Sequence, residues 1–472
     1  MELYDPTSKD RPKRRKKRSL ERIIKEDYLP YVIAAVTLIL VIVFISGAIS
    51  RAVAKRAAAE TAASIAAAEA EAEAQRQRDQ AIAQLIANAD SMIEDYNFDG
   101  AKTLLETYAS EMPNYPALQA KYNEVVEIID RLVEWDDLAD VVSLSFHNLI
   151  VDPQRAFADS GYGSGYRTNH ITCTEFSNIL NALYENNYVL VSLYDMIEIS
   201  VDANGNTTFT PKSIRLPQGK KPLILTETNV NYYYYMVDGD NDKLADKDGA
   251  GFASKLVLGE EGAVTAQYIN SNGEVLTGDY DLVPILDRFV ENHPDFSYKG
   301  ARAILAVSGH EGIFGYRVDA KSKSSMDQYR YDEEVAGATA VAEALQANGY
   351  IIACNTYGNL AYGKLTANEI KADMEKWHNE IATILPDLEI FVFAKASQFN
   401  GNDYASAKYA ALKEAGFKVF LGINSKGEPW CQTGESYLRV DRVMVTGANL
   451  SEKPEWFSGL FNPRTIVDPA RH

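Results

Sequence analysis

From about residue 140 the sequence alternates short apolar runs with helical segments, and that alternation restricts the fold more than any other feature. The runs are Val142–Phe146, Tyr188–Leu193, Pro222–Thr226, Ala301–Val307, Tyr350–Cys354, Glu389–Phe393, Lys418–Leu421 and Arg439–Val445. Several are apolar on both faces, which suits parallel strands buried between two layers. Helical patterns fill the intervals at Thr174–Asn186, Val283–Asn292, Asp332–Asn348, Thr366–Leu385 and Tyr404–Ala415. Seven or eight such units predict an α/β barrel of alternating strands and helices, with an open doubly wound sheet as the alternative. No GxGxxG or GxxxxGK[ST] follows any run, so a nucleotide-binding sheet has no support. In a barrel the chemistry sits just past the C-terminal ends of the strands. The segments that matter therefore follow Leu225, Ala353, Phe393 and Val445.

The chain before residue 140 has a different character. Residues 1–27 carry ten Lys/Arg against six acids, and the next 23 positions, Tyr28 to Ser50, carry no charge. That run is long enough to cross a hydrocarbon core of about 30 Å. A cleaved signal peptide is the competing reading, since small residues follow at Ser46, Gly47, Ala48 and Ser50. A signal h-region, however, spans only about 7–15 residues. The expectation is an uncleaved transmembrane helix over 28–50 in a single-pass cell-membrane protein. The Lys/Arg excess before it predicts a basic cytoplasmic tail at 1–27 and an extracytoplasmic remainder. That remainder holds 37 basic against 60 acidic side chains, a formal −23. So acidic a body argues against nucleic acid as a partner, because such binding rests on neutralising phosphates.

Residues 51–94 are rich in Ala, Glu, Gln and Arg and free of Gly and Pro, which predicts helix. From Ala57 to Ala74 large apolar residues are absent apart from Ile65, so the helix is a solvated stalk or a weak coiled coil. AKTLLETYASEM and LQAKYNEVVEIIDRLVEW, with Pro113 and Pro116 between them, resemble one tetratricopeptide-type helix pair, too little for a repeat array. The expected organisation is an all-helical stalk or spacer over 51–139 and a main domain over 140–472. Cys173, Cys354 and Cys431 cannot all pair with one another and show no CxxC. Buried free thiols are expected, with a single bridge as the alternative.

Read in order, the segments of the main domain resemble the polysaccharide deacetylase family, the metal-dependent enzymes that remove acetyl groups from N-acetylated glycans. SFHNL at Ser145–Leu149 resembles the family's Tyr-His opening strand, and HITCTEFSNILNALYENNYVLVSLYDMIE its helix–strand–helix segment. LPQGKKPLILTETNVNYY resembles the strand carrying Thr-Phe-Asp-Asp-Gly, and GYIIACNTYGNL the strand whose two histidines flank Thr-Tyr-Gly. LEIFVFAKAS resembles its Tyr-Pro-Tyr-Gly strand, and EAGFKVFLGINS the following helix–strand unit. The likeness covers roughly residues 142–450 as an ordered series. It implies a deformed (β/α) barrel and, where the activity survives, a site for zinc or another divalent metal.

The chemical positions depart from that pattern. Thr228 stands at the family's general-base aspartate, Asn229 at its ligand aspartate and Val230 at its glycine. Asn355 and Asn359 stand at the two ligand histidines, and Phe393, Ala394, Lys395 and Ala396 replace Tyr-Pro-x-Gly. A catalytic zinc takes three ligands of imidazole, thiolate or carboxylate type and keeps an open position for water. Three neutral carboxamides supply no anionic charge and only weak carbonyl oxygens. Without the ion, water keeps a pKa near that of bulk solvent. The Thr228 hydroxyl does not ionise usefully as a base, and Lys395 adds positive charge that disfavours a dication. No cofactor is therefore expected.

Carboxamides can instead recognise sugar, since each offers two donors and an acceptor matching glycan hydroxyls. The candidate glycan cleft is Asn229, Tyr232, Asn355, Tyr357, Asn359 and Lys395, with the Tyr232–Tyr235 run as flat faces or, alternatively, as ordinary packing. A rebuilt hydrolytic site from His310, Glu311 and Asp238 is a weaker candidate. His147 reads as a core histidine before a catalyst. The loop Asp238, Asp240, Asp242, Asp246 and Asp248 lacks the EF-hand Gly and Glu, Lys243 and Gly249 standing there, so it reads as a solvated acidic loop. The insertion Gly249–Asp281 predicts a β-hairpin around Asn272–Gly273. No GxSxG and no carboxylate pair for glycoside hydrolysis is present. The sequence thus predicts a membrane-anchored, extracytoplasmic, deacetylase-like pseudoenzyme that binds a cell-wall or other N-acetylated glycan. The alternatives are an active carbohydrate deacetylase with relocated catalytic groups and a protein-interaction scaffold with partners in the cell envelope.

Overall fold

The computed structural model describes residues 20–158, 161–239, 242–385, 387–399 and 404–471. Most of the basic tail expected at 1–27, and Asp240 of the acidic loop, lie outside the described residues. The chain divides into two compact units, residues 1–84 and 85–472.

The first unit is built on one continuous helix, Leu29–Glu94, whose last turns belong to the second unit. By length and composition it is apolar enough to cross a membrane, and its apolar side chains, including Leu38, Ile42 and Phe44, are exposed. Beyond the apolar stretch the helix is laced by side-chain pairs one turn apart, Arg56 to Glu60 at 3.0 Å and Gln75 to Asp79 at 2.8 Å. Such pairs stabilise the stretch over residues 51–80, which is exposed throughout.

In the second unit seven parallel strands close into a barrel among the described residues. They are β1 (Val142–His147), β2 (Lys221–Thr228), β3 (Ile304–Val307), β4 (Ile351–Cys354), β5 (Ile390–Val392), β6 (Val419–Ile423) and β7 (Leu438–Met444). Their order around the barrel follows the chain, and β7 pairs with β1 to close it. Parallel neighbours need crossovers. These contain α1 (Cys173–Glu185), α2 (Leu282–Asn292), α3 (Gln328–Ala347), α4 (Ala367–Glu380) and α5 (Ala407–Glu414). Thr172 and Thr366 close capping boxes at the starts of α1 and α4. The hairpin expected around Asn272–Gly273 forms between Val264–Ile269 and Val275–Gly278.

The barrel is deformed at one seam. The eighth apolar run forms a short strand, Tyr188–Leu190, that pairs with the first half of β2, Tyr188 opposite Lys221. β3 pairs only with the last part of β2, from Thr226. The run therefore lies beside the barrel and not in its wall. A second difference concerns the helix expected to extend to Trp135. It stops at Asp130, and Leu132–Trp135 pairs antiparallel with Ile214–Pro217. Partner strand hydrogen bonds outweigh the weak helix propensity of that segment.

Alternation sorts the strand side chains into two cores. Leu144, Phe146, Leu223, Leu225, Leu305, Phe391 and Phe420 belong to one, with residues of the surrounding helices. Ile224, Ile304, Ala353, Ile390, Val392, Val419, Leu421 and Val440 form the other, with Tyr96, Phe98 and Leu138. The same alternation continues into polar residues toward the strands' C-terminal ends: Ser145 and His147 on β1, Thr226 and Thr228 on β2, and Arg442 on β7.

Candidate functional site

The strand ends converge on a cavity of about 540 Å³ lined by His147, Thr228, Asn229, Asn355, Phe393 to Ala396, Asn424, Arg442, Thr446, Asn449 and Trp456. A larger groove of about 780 Å³ lies on the flank, between α4 and α5 and beside Glu389 and Lys418 at the opposite ends of β5 and β6. Charged side chains of its lining pair with one another, Lys371 with Glu414 at 2.6 Å and Lys418 with Glu389.

Backbone geometry shapes the mouth. Asn229, Thr356, Asn359, Lys395 and Ala396 all have left-handed φ, between 49° and 65°. For the β-branched Thr356 that conformation is strained and must be held by its surroundings. The holder is Asp373 of α4, buried, which accepts hydrogen bonds from the backbone N–H of Tyr357 (2.9 Å) and Gly358 (3.0 Å) and from the Tyr362 hydroxyl (2.7 Å).

The three asparagines are brought together. The Asn355 amide donates to the Asn229 carbonyl oxygen at 2.8 Å, and the Tyr233 hydroxyl donates to that same oxygen at 3.3 Å. Tyr233 lies 2.8 Å from the Ser308 hydroxyl, and the side chain of Asn359 also reaches the Tyr233 hydroxyl. Asn355 is 1% exposed, and its own carbonyl oxygen is buried without a hydrogen-bond partner. A buried acceptor left unpaired costs free energy that a donor supplied by a ligand recovers.

His147 is half-buried at the cavity wall, with Nδ1 2.8 Å from the Thr228 hydroxyl, which donates to the Phe146 carbonyl at 3.1 Å. Burial, reinforced by His170 and the Arg442 charge, lowers its pKa to about 3, so the ring is neutral at physiological pH. Arg442 is 1% exposed and donates to the Gly422 carbonyl (3.1 Å), the Ser145 hydroxyl (2.8 Å) and, at 3.5 Å, the Phe393 carbonyl.

Three expected cleft residues do not line the cavity: Tyr232, Tyr357 and Asn359, the last of which reaches the Tyr233 hydroxyl behind it. Tyr232 is fully buried and its hydroxyl donates to Asp281 at 2.5 Å, because left-handed φ at both Asn229 and Tyr232 turns the loop back into the core. Tyr357 is half-buried and turned toward α4, its hydroxyl donating to Glu380 at 2.6 Å, and it does not line the cavity. The weaker candidates do not assemble. His310 lies 3.7 Å from Glu311, whose carboxylate accepts the Tyr234 N–H at 2.8 Å. Glu311 and Asp238 line a separate cavity of about 730 Å³ with Tyr162, Tyr166 and Tyr235, and His310 is not part of its lining. Glu227, beside Thr228 on β2, points outward to Asp281. Burial and that neighbouring carboxylate push its pKa well up.

Sequence reading missed Arg442 and Ser308. The alternation Leu438, Val440, Arg442, Met444 was the available signal for Arg442, since it places a cation on the apolar face of a strand.

The donor chemistry does not fit a catalytic zinc. The Asn229 oxygen already accepts two hydrogen bonds, and among the described residues no group of three His, Cys, Asp or Glu is placed to hold a metal ion. All three cysteines are free thiols, Cys354 buried and the others half-buried.

No family model matches the chain, and no curated protein matches it. Among solved structures the chain is similar to Streptococcus pyogenes deacetylase PplD in complex with acetate, at 11% identity and a TM-score of 0.35, over 70% of this chain and 98% of that one.

Proposed function

We propose that this chain is a membrane-anchored, extracytoplasmic pseudoenzyme whose polysaccharide-deacetylase-like barrel binds a cell-wall or other N-acetylated glycan without hydrolysing it. The observation that carries the reading is the Asn355–Asn229 hydrogen bond of 2.8 Å, which ties two amides together where the resemblance expects a carboxylate and an imidazole as metal ligands. Beside it, the unpaired Asn355 oxygen and the Trp456 ring offer an acceptor and a flat face to a sugar. The apolar helix supports anchoring, and the Lys/Arg excess before it supports an extracytoplasmic barrel. The test is titration of the purified protein with an N-acetylglucosamine oligomer while acetate is followed. Binding without acetate release is expected, and release abolished by a chelator would overturn the reading.

One observation favours a second reading, hydrolysis by relocated groups. Thr228 and His147 stand 2.8 Å apart in the cleft, and Nδ1 would act as a base in the tautomer that leaves it unprotonated, with the Thr228 proton turned from the Phe146 carbonyl to the ring. A histidine with its pKa lowered to about 3 is a weak base, which ranks this reading second. Metal-independent acetate release lost in Thr228→Val would favour it.

A further inference from the structure

We infer that the cleft at the barrel mouth is an oxyanion site, and that the glycan it takes carries a carboxylate or phosphate group held between Arg442 and Lys395. This rests on the glycan-binding reading above and adds the ligand's charge.

The chain carries a net charge of −19 with 66 acidic side chains, yet among the described residues lining the cleft none is Asp or Glu. Two are cations. Arg442, 1% exposed, donates its hydrogen bonds among the described residues to neutral acceptors, the Gly422 and Phe393 carbonyls and the Ser145 hydroxyl, and feels the Asp441 charge without a direct ion pair. The adjacent carboxylate, Asp441, projects from the other side of the strand and pairs with Arg439 at 3.0 Å. A buried charge is ordinarily paired, because removal from water is costly. Three of the five guanidinium N–H groups are engaged in those bonds, which leaves one on each terminal nitrogen for a ligand.

Lys395 is exposed at the rim, placed there by two consecutive left-handed residues, Lys395 and Ala396, at φ 51° and 49°. It forms no ion pair among the described residues. The third feature is the Asn355 carbonyl oxygen, buried and without a partner, which requires a donor rather than an anion. A sugar with an acidic substituent meets both demands, with its hydroxyl or acetamido N–H on Asn355 and its oxyanion on the two cations. A bare anion satisfies only the second.

The test uses the full chain in detergent and four probes measured by calorimetry. They are a tetrasaccharide alternating glucuronate and N-acetylglucosamine, a 6-O-phosphorylated N-acetylglucosamine tetramer, neutral N-acetylglucosamine tetramer and inorganic phosphate. One of the two polymeric anions is expected to bind at least about tenfold more tightly than the neutral tetramer, weakening as salt rises. Preference for the first names the carboxylate source, and preference for the second the phosphate source. Lys395→Glu, at an exposed position, should remove that preference, Arg442→Lys should keep part of it and Arg442→Met should lose it. Equal binding of neutral and anionic oligomers, unmoved by Lys395→Glu, would overturn the anion site and leave the glycan reading standing. Absence of binding by every oligosaccharide would remove both. Binding of inorganic phosphate with no gain from any sugar would overturn the site as one for glycans.

Discussion

Substituting His147 by Gln should change the pH dependence of folding by an amount that follows from its lowered pKa. The imidazole is held neutral by burial first and by His170 and Arg442 second, with its pKa lowered to about 3 from the ordinary 6.5. Because the folded value is the lower one, the unfolded chain takes up the proton more readily. The stability contributed by the neutral ring is present above pH 6.5 and is lost as pH falls from 6.5 toward 3. At pH 4.5 those two values correspond to a loss of about 2.7 kcal/mol relative to neutral pH. His170, lowered to about 4, loses a similar amount, and buried carboxyls shift the other way, so the total pH profile is composite. The difference between wild type and His147→Gln isolates the one group. Glutamine can still donate to the Thr228 hydroxyl, so the variant should cost only about 1 kcal/mol at pH 7.5. Urea unfolding of residues 85–472 at pH 7.5 and 4.5 measures both gaps. The gap should move by about 2.7 kcal/mol in favour of Gln at the lower pH. A gap that stays constant between the two pH values would refute the assignment of a desolvated, neutral His147.

Glu227 gives the opposite slope. Its pKa is raised by burial and by Asp281, so its contribution to stability is present below the ordinary carboxyl pKa and is lost as pH rises. Glu227→Gln should therefore flatten the stability profile on the alkaline side, read by melting temperature between pH 5 and 9 (about the working range of the assay). The variant Asn229→Asp with Asn355→His and Asn359→His should acquire close to one zinc per chain by metal analysis. The amides it replaces already meet at 2.8 Å or share the Tyr233 hydroxyl. A chain without residues 20–50 should leave the membrane fraction that the full chain keeps under alkaline carbonate extraction.

Much of the barrel was legible because parallel strands buried on both faces are continuous apolar runs, and all eight runs form strands. Which seven close the wall was not, because the place of Tyr188–Leu190 depends on how β2 divides its pairing between two partners. The three asparagines were legible as a group through their positions past β2 and β4. Tyr232 and Tyr357 were misplaced for one reason. Loops past the strands turn through left-handed residues that no periodicity signals, and each such turn redirects the side chains after it. Arg442 was overlooked because a cation inside a barrel contradicts the usual interior composition, although its alternation with Leu438 and Val440 was readable.

The most direct test incubates the zinc-supplemented protein with an N-acetylglucosamine oligomer and weighs the recovered sugar by mass spectrometry. Recovery of fully acetylated oligomer, retained by the protein, is the predicted result. Progressive loss of acetyl groups that stops when a chelator is added would contradict it.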